Sequence, residues 1–262
     1  VIGGGPAGMV AARTAAERGH EIVLFEKDNQ LGGNLIFASA APFKEDMRKY
    51  LEWAIRITMN TPNIAVKLST EATPEKIEAE RPDALIIAVG SDPITPAIPG
   101  VEKKHVFWAG DVLLGNAKVG ESVIVVGAGL TGSETALYLA QQRKKVTLID
   151  VLPLEKIDAE IPTINIITLR NMLSKSGVFT RTEVKLNAIT DSSVIILDKK
   201  ENKTEEIPCD TVVLSLGLEP RKKLVEAFEK LATEVYIIGD CNNKRGNLMK
   251  ATTEGFWAAI EI

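Results

Sequence analysis

One glycine phrase occurs twice in this chain, and each copy is followed by an acidic residue at the same distance. The first reads Val1-Ile2-Gly3-Gly4-Gly5-Pro6-Ala7-Gly8 and continues to Ile22-Val23-Leu24-Phe25-Glu26. The second reads Val125-Val126-Gly127-Ala128-Gly129-Leu130-Thr131-Gly132 and continues to Val146-Thr147-Leu148-Ile149-Asp150. The third glycine and the acid lie 18 residues apart in both copies, which are offset by 124. In a strand-to-helix turn the first glycine permits the tight turn, the second lets backbone approach a pyrophosphate, and the third lets the helix pack closely on the strand. The phosphates then meet free N–H groups at the positive end of a helix dipole, and the acid receives the ribose hydroxyls. One such phrase is weak evidence; two copies with matched acids point to two bound dinucleotides.

The surrounding pattern repeats as well. After the first phrase come a helix from Met9 to Arg18 stopped by Gly19, a buried strand Glu21 to Glu26 and a turn at Leu31-Gly32-Gly33-Asn34. An amphipathic helix from Phe43 to Met59 follows, with apolar Met47, Leu51, Ala54, Ile55 and Met59. Next are a strand from Ile64 to Leu68, a short helix opened by Thr73-Pro74 and a strand Ala84 to Val89 ending at Gly90. Pro93, Pro96, Pro99 and Gly100 then mark a crossing to a second unit. There the order is strand Ser122 to Val126, helix Leu130 to Gln142, strand Val146 to Ile149 and helix Ile164 to Ser174. Strands Val178 to Ile189, Ser193 to Leu197 and Thr211 to Leu216 follow. Ser215-Leu216-Gly217 is the counterpart of Ala88-Val89-Gly90. After a helix around Leu224 to Leu231, Val235 to Asp240 resembles Phe107-Trp108-Ala109-Gly110-Asp111. The stretch after Asp240 lacks a unit of its own and returns to the first domain. The expected fold is α/β, with two Rossmann-like three-layer domains, the second inserted into the first. The boundaries are 1–112 and 227–262 for the outer domain and 113–226 for the inserted one.

Composition narrows the function. The chain has 262 residues, 45% apolar and 25% charged, with a formal net charge of −4, so it carries no basic footprint for nucleic acid. Arg143-Lys144-Lys145 reads as a solvated helix end. No apolar run reaches membrane-spanning length and no secretory leader is recognisable, which gives the expectation of a cytoplasmic protein without membrane or nucleic-acid partners. Cys209 and Cys241 match neither a redox pair nor a metal-site spacing, and His20 and His105 stand alone. Val1 lies two residues before the first glycine and the last residues still read as helix, so the expected chain is a piece of a longer polypeptide.

With Gly3 to Gly8, Glu26, Ala88-Val89-Gly90, the second phrase and Gly239-Asp240, the chain resembles the two-dinucleotide-binding-domain flavoproteins of the pyridine nucleotide-disulfide oxidoreductase superfamily. Leu31-Gly32-Gly33-Asn34, Trp108-Ala109-Gly110-Asp111 and Gly239-Asp240-Cys241 look most like the C-terminal half of the 2,4-dienoyl-CoA reductase, enoate reductase and trimethylamine dehydrogenase group of NADH:flavin oxidoreductases. The resemblance implies FAD in the outer domain and NADH or NADPH in the inserted one. Disulfide reductases place a cysteine pair after the Gly32-Gly33 turn or within the nucleotide domain, and neither place has one here. The group's FMN and iron-sulfur cluster belong to an N-terminal barrel, so the resemblance puts the substrate-reducing centre, and the electron-accepting partner domain, elsewhere in the same polypeptide.

By the motif and the resemblance, Gly3, Gly5, Pro6, Ala7 and Gly8 cradle the FAD pyrophosphate, with Glu26 at the adenosine ribose and Lys27 beside it. Gly33 and Asn34 line the flavin side, Ala72 approaches adenine, and Ala88, Val89 and Gly90 pass close to the cofactor. Gly239 and Asp240 meet the ribityl and phosphate region, although Asp240 also suits a helix cap. A helix starting near Met249 would aim its N-terminus at the flavin. Gly127, Gly129, Leu130, Thr131 and Gly132 hold the nicotinamide dinucleotide, Asp150 its ribose, and Ser215, Leu216 and Gly217 line it. Asp150 repels a 2′-phosphate and Val151-Leu152-Pro153 supply no arginine, which favours NADH over NADPH. Glu134 matches a glutamate near the nicotinamide, or is a helix-surface residue. The implied activity is hydride transfer from NADH to FAD. The alternatives are a structural ADP-binding module, as in trimethylamine dehydrogenase-like proteins, and a stand-alone NADH:acceptor reductase.

Overall fold

The computed structural model describes residues 1–157, 163–242 and 246–262. The chain divides into two units: Val1–Ser39, Lys44–Asp92 and Leu218–Ile262 form the first, and Ala40–Phe43 with Pro93–Gly217 the second. The bulk of the second unit falls within the sequence of the first. Residues 93 to 112 group with the second unit because Val106–Trp108 pairs in parallel with Thr211–Leu214. Residues 218 to 226 group with the first unit because the helix Lys222–Phe228 buries Val225 and Phe228 against Ile77, Leu85 and Ile87.

In the first unit, parallel segments lie in the order Ile64–Lys67, Ile22–Phe25, Ile2, Ala84–Ile87 and Glu234–Ile237. Period-two alternation sends successive side chains to opposite faces. Ile22 and Leu24 join Met9, Ala12 and Ala54 in one cluster, whereas Phe25, Leu85 and Ile87 join Ile77 and Phe228 in another. Covered on both faces, Ile22–Phe25 and Ala84–Ile87 read as unbroken apolar runs rather than alternating ones. The helix Pro6–Glu17 opens with proline at its first turn and buries Ala11, Ala12, Ala15 and Ala16. Its small face admits the helix Leu248–Glu261: a Cβ on Gly255 would lie 2.3 Å from the Ala7 carbonyl oxygen. In the helix Glu45–Asn60 the buried positions are Leu51, Ala54 and Thr58, while Met59 in the last turn is exposed.

The second unit has five parallel strands in the order Val106–Trp108, Thr211–Leu214, Ser122–Val126, Lys145–Ile149 and Phe179–Arg181. Helical residues Ala136, Leu137, Leu139 and Leu173 pack against Val123, Val125 and Leu148 on one face. On the other face Ile124, Val126 and Ile149 meet Val184, Leu186, Val194 and Ile196 of a three-stranded antiparallel sheet, Val184–Ile189, Ser193–Asp198 and Lys203–Pro208. This third layer differs from the expected reading in two ways. The single strand Val178 to Ile189 is two strands, divided where Glu183 takes a left-handed φ of 61°. Lys203–Pro208 was not expected at all: it is an edge strand with mostly exposed side chains, so its sequence shows no alternation. Among the described residues no helix is long and apolar enough to cross a membrane.

The resemblance between Phe107-Trp108-Ala109-Gly110-Asp111 and Val235 to Asp240 has a structural basis. Val106–Trp108 flanks the strand leading to Ser215-Leu216-Gly217, as Glu234–Ile237 flanks the strand leading to Ala88-Val89-Gly90. The phrase thus occupies equivalent edges, but its first occurrence serves the second sheet rather than the first.

Candidate functional site

In the first unit Ile2 is held as a central strand residue: the Gly3 amide donates to Phe25 O (2.9 Å) and the Ala88 amide to Ile2 O (2.8 Å). Gly3 then turns with φ of 103°, where a Cβ would sit 2.3 Å from Ala88 O. A Cβ on Gly8 would come within 1.9 Å of Gly3 O, so the helix start lies directly on the turn. Gly5 is the helix N-cap, without a capping side chain, and a Cβ there would meet nothing within 4 Å. Pro6 has no N–H and the first helical bond runs from Met9 N to Gly5 O, so the Ala7 and Gly8 amides have no acceptor within the helix. An open-sided, glycine-capped helix end with orphan amides fits a pyrophosphate.

The acid beside this turn is oriented by the turn itself. Glu26 is 7% exposed, its Oε2 accepting from Gly4 N (2.8 Å) and its Oε1 from Asp28 N (2.9 Å). The second unit repeats these bonds at the 124-residue offset: Asp150 Oδ2 accepts from Ala128 N (2.6 Å) and Oδ1 from Leu152 N (2.8 Å). Neither acid is a freely solvated strand end. Each oxygen keeps a further lone pair for a ribose hydroxyl. Gly127 (φ 100°) and Gly132 copy Gly3 and Gly8, with Cβ positions 2.1 Å from Ser215 O and 1.8 Å from Gly127 O. Gly129 caps the helix Leu130–Gln141 without a side-chain acceptor, and the first helical bond is Ser133 N to Gly129 O. The Leu130, Thr131 and Gly132 amides therefore lack helical acceptors. Ser215 N donates to Val126 O (2.8 Å), which brings Ser215, Leu216 and Gly217 alongside the turn.

Other expected residues of the first site also converge. Gly33 lies against Gly5, where a Cβ would be 3.1 Å from Gly5 Cα, and Gly32 N donates to Gly4 O (2.9 Å). Gly239, with φ of 71°, approaches Ala7. Asn34 Nδ2 donates to Asp240 Oδ2 (3.4 Å). Ala72 is half-buried beside the cluster of Ile2 and Phe25, while Lys27 is exposed. Met249 is 74% exposed in a helix that begins at Leu248, where Asn247 caps the Lys250 amide. Glu134 lies in the second turn-helix, half-exposed and with an interaction of its own.

Three residues near the first turn carry no motif and were missed. Ser91 is buried and donates to Asp240 Oδ2 (3.3 Å). Glu254 accepts from Gly239 N (2.7 Å). Arg221 donates to Val89 O (2.7 Å) and, through Nε and Nη2, to Asp92 Oδ1 (2.8 and 2.6 Å), which holds the Asp92 carboxyl below the usual carboxylate range. Ser91 directly follows the Ala88-Val89-Gly90 phrase, the one signal that could have exposed it.

Cys209 and Cys241 are both free and buried; burial pushes the Cys209 thiol up to about 11 and raises Cys241 as well. No group of three or more metal-binding side chains occurs among the described residues. A cavity of about 330 Å³ lies behind the second turn, walled by Ala128, Leu130, Ser133, Leu154, Leu173 and Thr180. No acid, histidine or cysteine lines it among the described residues.

The family model for pyridine nucleotide-disulphide oxidoreductases matches residues 1–255. The chain is 39% identical over its full length to an NADH oxidase of Thermoanaerobacter brockii and 38% identical over 99% of its length to a bilirubin reductase of Mediterraneibacter gnavus. It spans 40% of each relative's length. The solved structure of a 2-naphthoyl-CoA reductase superimposes on the whole chain with a TM-score of 0.92 and 34% identity, the match taking in 39% of that protein.

Proposed function

Because the chain belongs to the pyridine nucleotide-disulphide oxidoreductase family, we propose that it is an FAD-dependent module that oxidises NADH and forms part of a larger NADH:flavin oxidoreductase. The observation that carries this reading is the duplicated carboxylate clamp, Glu26 on Gly4 N and Asp150 on Ala128 N, each beside an uncapped helix start. When bound, FAD and NADH would supply the hydride chemistry themselves. The chain's share is binding and orientation. The amides of Ala7 and Gly8 in one unit, and of Leu130, Thr131 and Gly132 in the other, face pyrophosphates, and Glu26 and Asp150 accept ribose hydroxyls.

NADH is favoured over NADPH for an electrostatic reason. A 2′-phosphate would lie against Asp150, and the cation on the neighbouring strand, Arg181, is already engaged by Glu205 (2.8 Å) and Asp198 (3.4 Å). The two cysteines cannot supply an iron-sulfur site. This reading therefore places the FMN, the cluster and the substrate-reducing centre in the remaining part of a longer polypeptide, as the 40% coverage of the relatives allows.

The test is anaerobic addition of NADH to the FAD-reconstituted chain. Loss of the visible flavin absorption is expected, and an unchanged spectrum overturns the proposal.

A further inference from the structure

Three segments distant in sequence bring polar side chains together at the first turn. Asn34 follows the Gly32-Gly33 turn, Ser91 follows Gly90, and Asp240 follows the edge strand Glu234–Ile237. Asn34 Nδ2 donates to Ser91 Oγ (3.2 Å) and to Asp240 Oδ2 (3.4 Å), and Ser91 Oγ donates to the same Oδ2 (3.3 Å). Since a carboxylate only accepts, the amide must present its nitrogen here. Ser91 is 4% exposed, and its hydroxyl spends its one proton on Asp240. Glu254 fixes the same turn from the other side through Gly239 N.

Both donors converge on one oxygen. Among the described residues no donor reaches Asp240 Oδ1 or Asn34 Oδ1, so two acceptor oxygens remain beside the glycine turn. Two acceptors, one of them anionic, repel phosphate and match hydroxyl groups. ADP ends at its pyrophosphate, whereas FAD continues into a hydroxylated chain.

We propose that Ser91 is a positioning residue that aims the Asp240 carboxylate, that Asn34 both holds this carboxylate and offers its own side-chain carbonyl, and that this three-residue network selects FAD over ADP in the first site. The inference rests on the reading that the first turn holds a dinucleotide, and it adds the basis of discrimination between the two ligands. Direct contact with the ligand is left to Asp240 and the Asn34 carbonyl. Ser91 acts through Asp240.

The experiment compares FAD and ADP binding to the 262-residue chain and to its Ser91→Ala and Asn34→Ala variants, FAD by fluorescence quenching and ADP by calorimetry. For each variant FAD affinity should fall about tenfold, the usual effect of losing a hydrogen bond to a charged group, while ADP affinity stays within about twofold. A merely structural role would weaken both ligands alike. Equal losses for FAD and ADP, or no loss for either, overturn the network. A wild-type chain that takes ADP but no FAD overturns the underlying functional reading, an outcome visible before any variant is made.

Discussion

Replacing Asp150 by asparagine tests the clamp with the least disturbance of shape. The aspartate spends one oxygen on Ala128 N (2.6 Å) and the other on Leu152 N (2.8 Å). Asparagine offers a single acceptor, so one N–H keeps its bond and the other faces an NH2 group. The asparagine oxygen stays with Ala128 N, the less exposed of the two donors, and the NH2 group faces the exposed Leu152 N. Loss of one charge-assisted bond, with the other reduced to a neutral amide acceptor, costs about 2 kcal/mol. For a unit of this size that corresponds to a fall of roughly 4–8 °C in melting temperature. Ligand binding should suffer separately: the lost charge at the ribose costs about 1.4 kcal/mol or more, or at least about tenfold in NADH affinity. Differential scanning fluorimetry reads the first effect and NADH titration the second, with FAD affinity as the internal control. The Glu26→Gln variant should show the mirror result, weaker FAD with NADH unchanged. If Asp150→Asn leaves both the melting temperature and the NADH affinity unchanged, the acid is not the clamp described here.

Neither cysteine should react with iodoacetamide in the native chain at pH 8, because burial holds both thiols protonated; prompt labelling before denaturant is added, followed by mass spectrometry, would contradict this. The Arg221 and Asp92 pair should stabilise the first unit at neutral pH and fail in acid. Because the folded Asp92 carboxyl lies below its unfolded value of about 3.9, the contribution is intact above that value and is lost as pH falls through the folded one. An Arg221→Met variant should therefore be less stable than wild type at pH 7, with the gap narrowing as the pH falls below the unfolded carboxylate value. A gap that persists unchanged into acid would assign the effect to the Val89 carbonyl bond instead.

Much of the fold was legible because phosphate-binding turns leave a local signature. Gly3, Gly8, Gly127 and Gly132 are glycines since a Cβ at each would strike a carbonyl oxygen within 2.3 Å, and that demand is written into adjacent residues. The strands Ile22–Phe25 and Ser122–Val126 were equally readable, being covered on both faces and hence apolar from end to end apart from Ser122. The edge strand Lys203–Pro208 was not, because exposure removes the alternation that marks a strand. Nor were the junctions: whether residues 93 to 112 serve the first or the second sheet depends on pairing between Val106–Trp108 and Thr211–Leu214, about 100 residues away.

The sequence by itself therefore determined the two turns, their acids and the insertion, since each follows from short-range steric and hydrogen-bonding needs. Only the tertiary structure decided that an antiparallel sheet covers one face of the second unit, and that Ser91, Asn34 and Asp240 share one carboxylate oxygen. Such groupings depend on which distant segments meet. A serine's single hydroxyl leaves no periodicity or spacing by which its partner could be read in advance.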